Sequence, residues 1–340
     1  MLLKELDYEL PEELIAQTPL EQRDLSRLLV LDRRQQTITH RRFRDLPEYL
    51  HAGDVLVAND TRVLPARLYG VKWPTGARIE FLLLREIEPG VWETLVRPSR
   101  RLKPGTRVVF GEGQLVAEAL ERTSAGWRMR FDPAEAVRQW LPHLGETPLP
   151  PYIKRRLQDP DRYQTVYAAQ NGSAAAPTAG LHFTPELLQQ LQAQGVVCVF
   201  LTLHIGLDTF RPIKAECVEE HSMHSEYYEI PAETAAAINA ARTQGKRVVA
   251  VGTTCVRALE SAAQREGPVE PRREWTSLFI TPGYRFRVVD ALVTNFHLPR
   301  STLLALIYAF AGTELVRRAY AEAVQRRYRF LSFGDAMLIL

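Results

Sequence analysis

The feature that most constrains the fold is a change of pattern across Thr147-Pro148-Leu149-Pro150-Pro151. Before it, short runs with strand character fall at 54–58, 66–70, 78–84, 91–96, 107–110, 115–120 and 127–131. Gly76, Pro89-Gly90, Pro104-Gly105 and the glycines at 111 and 113 separate them. Regular strands with glycine turns predict a small closed β-barrel of about six strands. After Tyr152 the pattern becomes strand, glycine, helix. Helices are expected over 185–194, 232–243, 254–264 and 301–325, and strands over 196–203, 248–251, near 277–280 and over 287–294. Such alternation implies a largely parallel sheet with covering helices. Residues 1 to about 50 read as an entry segment, with a short helix begun by Pro11 over 11–17 and a buried strand at 28–31. The expected fold class is therefore α/β plus all-β. A large mixed or parallel-sheet α/β domain is assigned to 1–60 and 152–340, with a smaller six-stranded-type β-barrel domain inserted at 61–151.

Within the α/β part, Gly172-Ser173-Ala174-Ala175-Ala176-Pro177-Thr178-Ala179-Gly180 leads into Leu181-His182-Phe183-Thr184. Thr184 is an N-cap type, Pro185 suits the first helical position, and Glu186 suits the positive first turn. Small side chains let a ligand approach the backbone, and His182 stands where that approach ends. The plain alternative is a surface linker, although linkers rarely hold this much alanine or end in so clear a helix signal.

Other strand ends carry polar groups in the same way. Val251-Gly252-Thr253-Thr254 opens a helix whose free N–H groups suit a carboxylate or phosphate, or are simply capped by the threonines. The glycine spacing is neither that of a P-loop nor that of a dinucleotide site. Thr294-Asn295-Phe296-His297 and Thr202-Leu203-His204 place further side chains at carboxyl ends of strands, where open α/β sheets bind ligands. Three of the eight histidines fall at such ends, counting His182 at the end of its loop, which favours a site. Asp60, in Asn59-Asp60-Thr61-Arg62, reads as a base or as a turn former. His221 and His224, with Glu226, have a spacing open to a metal but no second cluster of clear ligand spacing, so no metal is expected.

Composition limits the class. The chain has 340 residues, 46% hydrophobic and 24% charged, which suits a chain with a large core. No apolar run approaches the roughly 18 residues of a membrane helix, and Glu5 and Asp7 do not suit a signal peptide. Three cysteines without a CxxC pair argue against disulfides or structural zinc. A cytoplasmic protein without a membrane partner is expected. The formal net charge is only +3, but basic residues cluster at 33–34, 41–44, 97–103, 154–156 and 317–329. Five clusters together point to phosphate contact as much as to solvated faces.

The motifs as a set are specific. They are Asn59-Asp60-Thr61-Arg62, Val96-Arg97-Pro98-Ser99-Arg100, Pro150-Pro151-Tyr152-Ile153, Tyr163-Gln164-Thr165-Val166-Tyr167, Ala176 through Thr184, and His221-Ser222-Met223-His224-Ser225-Glu226. Val251-Gly252-Thr253-Thr254, Pro282-Gly283-Tyr284, Thr294-Asn295-Phe296-His297-Leu298-Pro299 and Phe333-Gly334-Asp335-Ala336-Met337 complete it. In order and over the whole length, the chain resembles the S-adenosylmethionine:tRNA ribosyltransferase-isomerases of queuosine biosynthesis. It departs from the family pattern at Asp208, Cys255 and Thr281, where glycine, serine and tyrosine are expected.

The resemblance implies transfer and rearrangement of the ribosyl part of S-adenosylmethionine onto an aminomethyl-deazaguanine at the tRNA wobble position. Adenine and methionine leave. S-adenosylmethionine is then a co-substrate rather than a resident cofactor, and the tRNA anticodon stem-loop is the partner; apart from the resemblance, a monomer is expected. The implied acid–base set is His182, His204 and His297, with Asp60 beside it. Thr178, Gly180, Gly252, Thr253, Thr254 and Asn295 are the implied binding groups for S-adenosylmethionine. Arg62, Arg97, Arg100, Arg101, Lys154 and Arg155 are the implied phosphate contacts, with Tyr152 or Tyr167 stacking on a base. A tRNA methyltransferase and a non-catalytic tRNA-binding module are the alternatives. The first lacks a glycine-rich cofactor loop, and the second leaves the strand-end histidines without a purpose.

Overall fold

The computed structural model describes residues 1–123, 126–206, 213, 215–221, 223, 225–263 and 267–340. They divide into two compact units. One comprises Met1–Thr61, Pro151–Gln170 and Ala176–Leu340, and the other Arg62–Pro150 and Asn171–Ala175.

The larger unit is built on a nine-stranded sheet. Its order is Arg272–Thr276, Glu226–Ile230, Val197–Leu203, Val55–Asn59, Val248–Val251, Ala291–Asn295, Ala336–Ile339, Arg27–Asp32 and Thr37–Arg42. Val55–Asn59 pairs in parallel with both Val197–Leu203 and Val248–Val251, which pairs in parallel with Ala291–Asn295. These middle strands are apolar because helices cover both faces, and every residue of Val55–Asn59 and Val248–Val251 is buried. Outside them the pairings are antiparallel except for Ala336–Ile339 with Arg27–Asp32, which is parallel, so the sheet is mixed rather than largely parallel. Leu28, Phe43, Leu56, Phe183, Leu187, Val249 and Leu338 belong to one core cluster on it. Each such side chain contributes about 1.5–3 kcal/mol by burial.

Local signals set the helix starts. Thr184 Oγ1 accepts the Leu187 N–H at 3.2 Å, with Pro185 first in helix Pro185–Ala193. Ser301 Oγ accepts the Leu304 N–H at 3.2 Å at the start of Thr302–Ala311. The single helix expected over 301–325 is in fact two, because Gly312 at φ +84° breaks it before Thr313–Gln325. The expected helix at 11–17 is only one 3-10 turn, Glu12–Leu14.

Two strand expectations shift for a shared reason: side chains take the backbone groups that a ladder would use. The buried Glu260 carboxylate accepts N–H groups of Arg287, Val288 and Val289 at 2.9, 3.0 and 3.0 Å, so the strand begins at Ala291 rather than at 287. Near 277–280, Leu278 donates to Thr276 Oγ1 and accepts from Arg257 Nε, and the strand lies earlier, at Arg272–Thr276.

The smaller unit is a closed antiparallel barrel. Six strands follow the order Arg67–Lys72, Ala77–Glu88, Val91–Arg97, Trp127–Asp132, Leu115–Arg122 and Arg107–Phe110, and the first pairs with the last. The two-residue strand Gly145–Glu146 adds to Arg67–Leu68. Phe81, Phe110 and Phe131 fill its interior, with ring centroids 5.1 and 6.2 Å apart. A Cβ on Gly70 would lie 2.7 Å from Phe110 and Val108, so this strand position excludes any side chain. Helix Ala136–Leu144 is unannounced in the sequence because Pro142, inside it, reads as a breaker.

Candidate active site

Strands Val55–Asn59, Val197–Leu203, Val248–Val251 and Ala291–Asn295 end on one edge of the sheet, and the polar residues of the larger unit follow from those ends. A cleft opens there, enclosing about 760 Å³ counting its open mouth. Thr178, Gly252, Thr253, Thr254, Asn295 and His297 all line it, from segments far apart in sequence. Ala176, Pro177 and Ala179 of the small-residue loop form another part of the wall, as do Tyr152, Leu331 and Ser332.

Gly252 is the N-cap of helix Thr253–Ala262 at φ +88° and ψ 154°, a conformation open almost only to glycine. Its N–H donates to Val293 O at 2.7 Å. No side chain caps this helix, so the threonine capping considered from the sequence does not occur. The helix start instead faces the cleft with the positive end of its dipole.

His297 is buried and lines the cleft directly. Its Nε2 lies 2.8 Å from Thr294 Oγ1, which also lies 3.4 Å from Asn295 O. With the Thr294 hydroxyl donating to Asn295 O, Nε2 carries the proton and Nδ1 is an acceptor; with it donating to Nε2, the roles reverse. The Tyr320 hydroxyl accepts its N–H at 3.0 Å, and Tyr8 donates to its carbonyl at 2.5 Å. Burial pushes the imidazole pKa down to about 3.

His182 is held differently. It is buried and stacked on Phe43 with centroids 5.0 Å apart, and it stands behind the wall. Asn295 Nδ2 donates to its Nε2 at 3.2 Å, so Nδ1 carries the proton and donates to Ser26 Oγ at 2.8 Å. Asn295 Oδ1 accepts from Thr178 Oγ1 at 2.9 Å. The chain Ser26, His182, Asn295, Thr178 thus ends at the cleft. Burial, then Arg329 and Arg23, pushes the His182 pKa down to about 3.

Apart from Tyr152, the remaining sequence candidates lie elsewhere. His204 stacks on Tyr227 with centroids 6.0 Å apart and contacts Thr61 Oγ1 through Nδ1 at 2.8 Å, while its neighbour Ile205 reaches the cleft. Burial lowers its pKa, against Glu229, which raises it. Asp60 lines a second cavity with Thr202, Phe200 and Glu229, and accepts from Thr202 Oγ1 at 2.6 Å. Burial raises its carboxyl pKa. Gly180 is outside the wall; a Cβ there would sit 2.0 Å from the Tyr167 hydroxyl oxygen. Tyr167 is half-buried, with its ring packed on Phe200 and Phe183 and its hydroxyl buried. Tyr152 belongs to the cleft, its hydroxyl 2.7 Å from Ser332 Oγ.

Of the basic residues, Arg97, Arg100 and Arg101 are exposed and Arg62 is half-buried, all in the barrel unit. Lys154 and Arg155 are exposed on the larger unit, where Lys154 pairs with Glu12. Asp208 and His224 lie outside the described residues. Cys255 is buried, which holds its thiol well above the usual range and leaves it a packing group. Among the described residues no group of three or more His, Cys, Asp or Glu could hold a metal, and no helix is long and apolar enough to cross a membrane.

Sequence reasoning missed Ser26, Thr294, Leu331 and Ser332. Ser26 and Thr294 each contact a histidine ring nitrogen, and Thr294 also lines the cleft; no local pattern reports those contacts. Leu331 is held at φ +68°, rare for a bulky residue, where its carbonyl accepts Asn295 Nδ2 at 3.4 Å. Its proximity to the Phe333-Gly334-Asp335 motif was the available signal.

The family described as queuosine biosynthesis protein matches residues 3–339. An S-adenosylmethionine:tRNA ribosyltransferase-isomerase of Symbiobacterium thermophilum is 57% identical over 341 residues, covering 100% of both chains. One of Moorella thermoacetica is 57% identical over 345 residues with the same coverage. The crystal structure of the S-adenosylmethionine tRNA ribosyltransferase from Thermotoga maritima is 45% identical, covers 99% of this chain and 100% of its own, and superposes with a TM-score of 0.58. This chain therefore belongs to the queuosine biosynthesis family of S-adenosylmethionine:tRNA ribosyltransferase-isomerases.

Proposed function

We propose that the protein transfers the ribosyl moiety of S-adenosylmethionine to the aminomethyl-deazaguanine at the tRNA wobble position. The ribosyl carbons rearrange to an epoxy-cyclopentane, giving epoxyqueuosine-tRNA, and adenine and methionine are released. The observation that carries this reading is the single cleft lined by Thr178, Gly252, Thr253, Thr254, Asn295 and His297.

The uncapped helix start at Gly252 suits the methionine carboxylate, because its N–H groups and dipole both favour an anion. The sulfonium acidifies the adjoining 5′ carbon, so a base is needed there, and departing adenine needs a hydrogen bond or proton. With its proton on Nε2, His297 offers an acceptor nitrogen at the cleft and is held neutral by burial. In this reading His297 acts on the reacting groups. His182 is a positioning residue that works through Asn295 and Thr178.

Product analysis tests the proposal. The purified protein is incubated with S-adenosylmethionine and tRNA bearing the aminomethyl-deazaguanine, and released bases and digested nucleosides are analysed by mass spectrometry. Adenine, methionine and an epoxy-cyclopentane nucleoside are expected. S-adenosylhomocysteine with a methylated nucleoside would mean methyl transfer instead.

A further inference from the structure

Three of the eight large hydrophobic residues exposed among the described residues fall within five positions of the barrel unit. They are Tyr69 at 54%, Val71 at 41% and Trp73 at 66% exposure, on and just past strand Arg67–Lys72. Successive strand side chains alternate faces, so these odd-numbered positions share the outer face, spaced about 7 Å apart. On the opposite face Leu68 and Gly70 are buried and Lys72 is half-buried.

Register sets arginines beside them. Val71 pairs with Arg78 on one side and with Val109 on the other. Tyr69 pairs with Glu80, which in turn pairs with Arg97. The Trp73 N–H donates to Arg107 O at 3.0 Å, which continues the ladder there. Arg78, Arg97 and Arg107 are all exposed. Three carboxylates share the face, each near an arginine: Glu80 lies 3.3 Å from Arg67, Glu118 lies 3.9 Å from Arg107, and Glu146 stands opposite Arg67 in the ladder. Arg78 and Arg97 form no ion pair among the described residues. The face is therefore apolar along its middle and positive along its flanks.

A stripe of this kind marks an interaction surface, since water gains nothing from it. Aromatic rings interleaved with cations on a small antiparallel barrel match unpaired nucleotides, whose bases stack while phosphates meet arginine. An apolar protein partner would leave the flanking positive charge unanswered. We infer that the outer face carrying Tyr69, Val71 and Trp73 binds unpaired nucleotides of the RNA substrate. Tyr69 and Trp73 are the stacking groups, and Arg78, Arg97 and Arg107 are the phosphate contacts. The inference rests on the reading that this chain acts on tRNA, and it specifies a surface that reading does not supply.

The test uses the whole protein and a fluorescently labelled substrate tRNA, with binding followed by anisotropy at several salt concentrations. Tyr69→Ala with Trp73→Ala is expected to weaken tRNA binding about tenfold or more. The tRNA KM should rise in parallel, with S-adenosylmethionine affinity and the salt slope unchanged. Arg78→Gln with Arg107→Gln is expected to reduce the salt slope by about one per arginine. Both pairs are exposed, and an unchanged unfolding midpoint excludes misfolding as the cause. Wild-type tRNA affinity in the aromatic variant overturns the inference, as does a change confined to self-association measured by light scattering. Weakened tRNA binding supports the face even where product analysis refutes ribosyl transfer, so the two failures are separable.

Discussion

Replacing Gly252 by alanine adds one methyl group at the start of the helix that faces the cleft. Space is not the obstacle. The added Cβ would lie 3.5 Å from Thr254 Oγ1 and 3.6 Å from Ala179 Cβ, both ordinary contacts. Conformation is the obstacle, because φ +88° with ψ 154° is accessible almost only to glycine. Holding alanine there costs about 1–3 kcal/mol. Relaxing instead would turn the Gly252 N–H away from Val293 O and re-aim the N–H groups of Thr253 and Thr254. Either way a specific quantity moves. Denaturant unfolding should show a stability loss of about 1–3 kcal/mol where the backbone holds. Where it relaxes, calorimetry should show S-adenosylmethionine affinity falling, by up to about thirtyfold for an anion at a helix start. Binding of 5′-methylthioadenosine, which lacks the carboxylate, should be unchanged. Wild-type stability together with wild-type S-adenosylmethionine affinity would refute the argument, and equal losses for both ligands would refute the carboxylate assignment.

The other predictions concern the histidines and a buried ion pair. His297→Ala should lower kcat by about 10²–10⁴ with a smaller effect on S-adenosylmethionine affinity, the range for general acid–base groups. His182→Ala should cost less, and Ser26→Ala less again, because both act through Asn295; a larger kcat loss for His182→Ala than for His297→Ala would reverse the roles. Folded-state pKa values near 3, against 6.5 for an ordinary histidine, mean that the unfolded chain binds more protons between these values. Stability from this source is therefore complete above pH 6.5 and falls as pH is lowered toward 3; urea midpoints across that window should show it, and His297→Gln should flatten the slope. Arg257→Leu takes the Arg257 guanidinium away from the buried Glu226 carboxylate, both side chains being 4% exposed, and should lower stability in urea unfolding by up to about 3–5 kcal/mol. Adding Glu226→Gln should recover part of that loss.

Much of the fold was legible because its causes are local. Glycine turns between short strands announced the barrel, and Thr184-Pro185 and Ser301 marked helix starts that their hydrogen bonds reproduce. Gly312 could have marked the break in the last helical stretch, since it needs φ +84°, but tolerated glycines inside helices weaken that signal. The segment at 287–290 read as strand and is not, because Glu260, on a different element, takes its N–H groups. Sheet direction was only half legible: Ala336–Ile339 runs parallel to Arg27–Asp32 and antiparallel to Ala291–Asn295, and its sequence carries neither fact.

The sequence by itself determined which residue types arrive at the sheet edge. A strand that ends in Asn295 must deliver polar groups there, and Gly252 must admit a backbone that other residues avoid. Only the tertiary structure decided which of those groups face a ligand. His297 and His182 are alike in composition, burial and pKa, yet one lines the cleft and the other stands behind Asn295. That difference depends on side-chain direction, which reverses with a single residue along an extended chain, and on partners brought together from 113 and 156 positions away. Local pattern does not encode contacts over such separations; packing of the helices and loops onto the sheet does.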